Sequence, residues 1–153
     1  MLKAANNERD KLIIFVFYDS GVRKAELIEL KISDIDFEEE TITVRKGKGD
    51  KSRIVPVSSS LITKLANFIN KKSEKEVNKE YLFLSNRLDK LCKRRINDIV
   101  GNLRKKAGIE KNITPHSLRR TFATIWYNEN DHDIYALRDI MGHASIKTTE
   151  KYI

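Results

Sequence analysis

Residues 114–124 read TPHSLRRTFAT. Proline suits the first turn of a helix, where its missing N–H has no partner to lose, and Thr114 before it carries the hydroxyl of an N-cap. A helix opened by Pro115 runs to about Asn128. It sets His116 and Arg119 three residues apart on one face, with Leu118, Phe122 and Ile125 turned to the core. The start of a helix is electropositive. A histidine in its first turn and an arginine one turn on can both address a phosphate. A core helix with incidental polar residues would look the same, so this stretch gains meaning only from its surroundings.

Downstream, residues 142–152 read GHASIKTTEKY. Gly142-His143 forms a turn between two short helices, one near 133–141 and one from 145 onward, and Tyr152 stands nine residues past His143. Upstream, 89–107 is the best amphipathic helix in the chain. Cys92, Ile96, Ile99, Val100, Leu103 and Ala107 fall on one stripe, and Gly108 sits where a C-terminal glycine belongs. Arg94 and Lys105 point away from the stripe, with Lys93 and Arg104 on its flank.

The first half adds a helix over 7–19, with Asn7 as N-cap, Asp10 three residues in and Gly21 permitting the left-handed exit. A second helix over 23–31 turns Ala25, Leu27, Ile28 and Leu30 inward. It begins at Arg23, whose guanidinium can fork onto two phosphate oxygens and which Glu26, three residues on, can hold. TITVRK at 41–46 and RIVPV at 53–57 alternate as paired strands around a GKGD turn, with Pro56 demanding an edge. A short strand near Asp36 and Phe37 can join them. Serines 58–60 cap a helix running to about Asn70, residues 71–80 read as an exposed loop or frayed end, and Tyr81–Leu84 is apolar but ambiguous. The fold class is α+β, mainly α-helical with one small antiparallel sheet, in a single domain over 1–153.

The 153 residues hold 30 Lys+Arg against 22 Asp+Glu, a formal net charge of +8. The excess is local. The window 87–120 has eleven basic and three acidic residues, and Arg45 to Arg53 has five basic and one acidic. Two such patches point to a polyanion. No apolar run is long enough to span a membrane, the first ten residues lack the apolar core of a signal peptide, and the single Cys92 cannot form an internal disulfide. These features suit a reducing cytoplasm. GKGDKS fails as a nucleotide loop, because its glycines are two apart and a strand follows. His116, His132 and His143 lack metal-ligand spacing, so no metal site is expected, and His132 lies in a polar turn.

Taken in order, Gly-x-Arg-x-x-Glu-Leu, a Gly-Lys-Gly hairpin, Pro-His-x-Leu-Arg and Gly-His with Tyr nine residues later resemble the catalytic domain of the tyrosine recombinases, the phage integrase family. The resemblance covers residues 8–153. It implies a DNA strand-exchange enzyme that needs no cofactor, because the bond energy is kept in a 3′-phosphotyrosyl intermediate. It implies Tyr152 as nucleophile and Arg23 and Arg119 as clamps on the non-bridging oxygens. His116 would be an acid/base, His143 a donor to a non-bridging oxygen, and Glu26 a structural support. Lys48, flanked by two glycines, would be the acid for the leaving 5′-oxygen, with Lys51 on the same turn as its rival. The family lays a helix before the Pro-His motif into the major groove. That role falls to 89–107 and its Lys93, Arg94, Arg104 and Lys105.

The partner implied is double-stranded DNA, with a tetrameric synaptic complex in the full-length protein and no membrane. The expected origin is prokaryotic, phage or mobile-element. Members carry an N-terminal core-binding domain and a C-terminal tail helix. The chain is therefore expected to be a fragment, monomeric alone and weakly active or inactive. Two alternatives compete: type IB topoisomerase-like relaxation, and a catalytically inert DNA-binding regulator. The intact cationic set argues against the second, and the compact motifs with the histidine after Gly142 argue against the first.

Overall fold

Thirteen residues, Glu8–Ser20, form helix α1, and its caps are those the sequence predicts. Asn7 accepts from the Asp10 amide at 2.8 Å, and Gly21 leaves the helix at φ 61°. Leu12, Ile13, Val16 and Phe17 are fully buried, so α1 is the central rod. The computed structural model describes residues 1–45 and 52–153. Helix α2, Lys24–Glu29, is shorter than expected, because Leu30 turns extended, and Ala25 is exposed rather than inward.

Strands β1 (Ile35–Asp36), β2 (Thr41–Val44) and β3 (Arg53–Pro56) make an antiparallel sheet in the order β1-β2-β3. Pro56 lies on the edge strand opposite Thr41, where its missing donor costs nothing. Ile42 and Val55 pair on the inner face. Two residues along that same face Val44 pairs with Arg53, so an arginine points inward.

Helix α3, Ser59–Asn70, starts at the Ser58 cap and lays Leu61, Ile62 and Leu65 on the core. The stretch 71–80 contains a one-turn helix, α4 (Glu74–Val77), closed by a capping box between Ser73 and Glu76, but it buries nothing. Tyr81–Leu84 is neither helix nor strand. It is tied by single bridges, Lys31 to Tyr81 and Leu84 to Lys90, and buries Leu82, Phe83 and Leu84.

Helix α5, Lys93–Lys106, is amphipathic as expected over Ile96, Ile99, Val100 and Leu103. Its ends differ from the sequence reading. Cys92 is the exposed N-cap and Ala107 the exposed C-cap, so neither extends the stripe. Helix α6, Pro115–Glu129, crosses α1 so closely that a Cβ on Gly21 would lie 2.2 Å from Phe122 Cδ1. Helices α7 (Ile134–Met141) and α8 (Ile146–Glu150) flank Gly142, at φ 64°. Most apolar side chains join one core around α1. Phe122, Ala123, Leu137 and Met141 form a second, against which Trp126 and Tyr152 pack. Among the described residues no helix is long and apolar enough to cross a membrane.

Candidate active site

The small second core seats the last turn of the chain beside the start of α6. Tyr152 is half-buried. Its ring meets the His116 ring edge-on with centroids 5.2 Å apart, lies 5.0 Å from the His143 ring, and has the Arg119 guanidinium carbon 5.9 Å from its centroid. Its backbone is pinned at both ends: Thr124 Oγ1 donates to the Tyr152 carbonyl at 3.0 Å, and the Tyr152 amide donates to the Thr149 carbonyl at 2.9 Å. Thr114 caps α6 by accepting from the Ser117 amide. This sets the exposed His116 in the first turn and the buried Arg119 one turn inward.

Arg119 is 3% exposed and fixed on three sides. Its Nη1 donates to the Gly21 carbonyl, and its Nη2 donates to the Met141 carbonyl at 2.6 Å and lies 3.1 Å from His143 Nε2. Burial, then the neighbouring Arg23 charge, lowers its pKa to about 10, so it stays protonated at neutral pH. His143 Nδ1 lies 3.0 Å from Thr149 Oγ1. Burial, then the charges of Arg119, Arg23 and Arg53, pushes the His143 pKa down to about 4, leaving a neutral ring.

Arg23 is the N-cap of α2. Glu26 accepts from its amide at 2.7 Å and from its Nη1 at 2.9 Å, while its Nη2 donates to the Gly142 carbonyl at 2.8 Å. The sequence reading paired Glu26 with Arg23 and missed its second partner. Arg53 Nη1 and Nη2 donate to the two Glu26 oxygens at 2.7 and 2.9 Å, and Arg53 Nε donates to the Ile140 carbonyl at 2.6 Å. The signal was present: in RIVPV, Arg53 shares a face with the buried Val55, and an inward arginine needs a carboxylate. Burial pushes the Glu26 carboxyl up, but the hydrogen bonds from Arg53 and the Arg23 amide, with both guanidinium charges, hold it at about 2. Arg45 is engaged only in part: its Nε donates to the buried Asp34 at 2.5 Å while its side chain stays 61% exposed. The hairpin patch is therefore partly internal pairing rather than free charge.

Arg23, His116, Arg119 and Tyr152 line a cleft of about 740 Å³ whose far wall is α5, through Lys93, Asn97 and Gly101. Arg94 and Lys105 are exposed on α5. Arg104 is only partly available, since its Nη1 donates to the Ile109 and Glu110 carbonyls at 3.1 and 2.9 Å. Lys48 and Lys51 lie outside the described residues. His132 is exposed, with its ring edge-on to Tyr127. Four of the six residues expected to act chemically thus line one cleft, and a fifth, His143, packs behind them against Tyr152 and Arg119; the five come from three separate stretches of sequence. The arrangement presents cations and a phenol to a single anionic centre.

A family model described as "Phage integrase family" matches residues 1–153. The chain belongs to the phage integrase family. It is 38% identical over 155 residues to the tyrosine recombinase XerA of Pyrococcus horikoshii, covering 99% of this chain and 52% of that one. It is 34% identical over 148 residues to the tyrosine recombinase XerD of Listeria innocua, covering 94% and 49%. The crystal structure of a XerA recombinase matches the fold with a TM-score of 0.89 at 40% identity, over 99% of this chain and 55% of that one. A XerH site-specific recombinase bound to its difH substrate matches at a TM-score of 0.79 and 29% identity, over 95% and 43%. The chain spans about half the length of these family relatives.

Proposed function

We propose that this chain is the catalytic domain of a site-specific DNA recombinase that cuts and rejoins strands through a 3′-phosphotyrosyl intermediate. One observation carries the reading: Arg23, His116, Arg119 and Tyr152 line a single open cleft, and the Tyr152 ring packs against His116, His143 and Arg119. A phenol is a weak nucleophile until it gives up its proton and needs a cationic surround to attack phosphorus, and developing charge on the phosphorane needs preorganised donors. Arg23 and Arg119 are held by carbonyls and by Glu26 before any substrate arrives, so little reorganisation remains at the moment of reaction.

In the first step Tyr152 Oη attacks the scissile phosphorus, and the bond to the 5′-oxygen breaks. His116, at the mouth of the cleft, takes the phenolic proton, and Lys48 protonates the leaving oxygen. In the second step a 5′-hydroxyl of the partner strand attacks the phosphotyrosyl bond and Tyr152 recovers its proton. No cofactor enters this balance. Duplex DNA is the partner, with Lys93, Arg94 and Lys105 of α5 as its contacts and Arg104 and Lys51 as lesser ones. The longer protein would pair two sites in a tetramer, whereas this chain alone would be monomeric.

The test is a nicked duplex carrying the cognate core site. Wild type should form a covalent adduct that protease digestion traces to Tyr152, and Tyr152→Phe should form none. Equal adduct with the phenylalanine variant would overturn the reading.

A further inference from the structure

Both ring nitrogens of His143 are engaged. Nε2 lies 3.1 Å from Arg119 Nη2, and Nδ1 lies 3.0 Å from Thr149 Oγ1. A guanidinium has donors and no acceptor, so Nε2 must accept from Arg119. The one proton of the neutral ring therefore sits on Nδ1 and is donated to Thr149. In this tautomer the nitrogen that faces Arg119 offers a lone pair. It cannot donate to an anion drawn in beside Arg119, which the proposed transesterification requires.

What lies on the other side of the ring decides whether the tautomer can change. A backbone carbonyl there would accept only from Nδ1–H and lock the ring. A methyl group would leave a buried nitrogen unpaired, at a real cost. A hydroxyl accepts or donates by turning about its own C–O bond. Thr149 is that hydroxyl, and it is 0% exposed. It also accepts the Tyr152 amide on its carbonyl, so the residue that faces His143 belongs to the turn that carries the tyrosine.

We infer that Thr149 is a positioning residue for His143. Its hydroxyl accepts from Nδ1–H while Nε2 meets Arg119. It donates to Nδ1 once a phosphate oxygen replaces Nε2 as the acceptor beside Arg119 and Nε2 carries the proton. The ring gives its Nδ1 proton to water and takes one from water at Nε2, so its charge is unchanged. The second state rests on the transesterification reading; the first does not.

The experiment separates the two. In protein labelled with 15N-histidine, two-bond proton–nitrogen spectra assign the tautomer, with His143 identified by its loss in His143→Gln. Wild type and Thr149→Ser, free of DNA, should show a protonated Nδ1 and an unprotonated Nε2. In Thr149→Val the Nδ1 proton should exchange rapidly with water. On the nicked duplex, Thr149→Val should form adduct roughly tenfold more slowly, and Thr149→Ser should restore the rate. A wild-type spectrum with the proton on Nε2 overturns the inference, and it does so even if Thr149→Val fails to fold. Adduct formation by a folded Thr149→Val at the wild-type rate overturns it as well. Wild type that forms no adduct on the cognate site sinks the transesterification reading instead, while the spectrum still decides the resting tautomer.

Discussion

Arg53 and Glu26, 27 positions apart, form a two-point ion pair with both side chains at most 10% exposed. Through it the inner face of the sheet, the start of α2 and the end of α7 share one carboxylate. Glu26 in turn holds Arg23, and Arg53 holds the Ile140 carbonyl just ahead of the Gly142-His143 turn. A residue that was absent from the expected catalytic set is thus the fastener for two of its members.

Removing one side of that pair should be costly. Arg53→Met leaves a buried carboxylate short of its main partner and should destabilise the fold by about 3–5 kcal/mol in urea unfolding. Converting Glu26 to methionine in the same chain should recover much of that stability while leaving adduct formation slow, because Arg23 then loses the carboxylate that holds it and keeps only the Gly142 carbonyl. Full recovery of both would show that the pair does nothing for the site.

Gly142 is required twice over. Its φ of 64° disfavours any side chain, and a Cβ there would sit 2.9 Å from Arg53 Nη1. Gly142→Ala should lower stability by about 1–2 kcal/mol. It should also slow adduct formation, since the displaced Arg53 no longer aligns Glu26. Unchanged melting temperature and rate would refute this.

The His143 ring makes stability depend on pH in a defined window. Its pKa is about 4 in the fold against 6.5 for an ordinary histidine, so below 6.5 the unfolded chain binds a proton that the folded one refuses. Stability should fall as pH drops from 6.5 to 4, with a slope of at most about 1.4 kcal/mol per pH unit from this group. His143→Asn should flatten the curve between 6.5 and 4.5. Below 4.5 the protonation of Glu26 begins to add its own loss. An identical slope in the variant would contradict the assignment.

On α5 the exposed and the occupied cations should separate. Arg94→Ala with Lys105→Ala should weaken duplex binding across sequences and reduce the salt slope by roughly one for each phosphate no longer neutralised. Arg104→Ala should instead loosen the Ile109–Glu110 turn, read as a lower melting temperature with a smaller change in salt slope. The reverse pattern would place the groove contact on Arg104.

Much of this was legible in the chain. Asn7, Gly21, Ser58, Thr114 and Pro115 act within a few residues of themselves, and local hydrogen bonding or a forced φ is enough to make them punctuation. The ends of α5 were misread because a stripe continues smoothly through Cys92 and Ala107, whereas the structure ends the helix before its stripe does. Residues 71–80 hid a single turn because one capping box can close four residues without burying any of them.

By itself the sequence determined the longer helices, the small sheet with Pro56 on its edge, and the order of residues able to serve phosphoryl chemistry. Those depend on spacing, and spacing is a local property. Only the tertiary structure decided which groups are free and which are spent. Arg53, Arg45 and Arg104 have the same charge as Arg94 on paper, yet the first two are drawn into carboxylates and the third onto carbonyls. Likewise no spacing rule could reveal that Thr149 faces His143. The reason is physical: desolvation obliges every buried donor to find an acceptor, and which acceptor is near is settled only when distant segments pack.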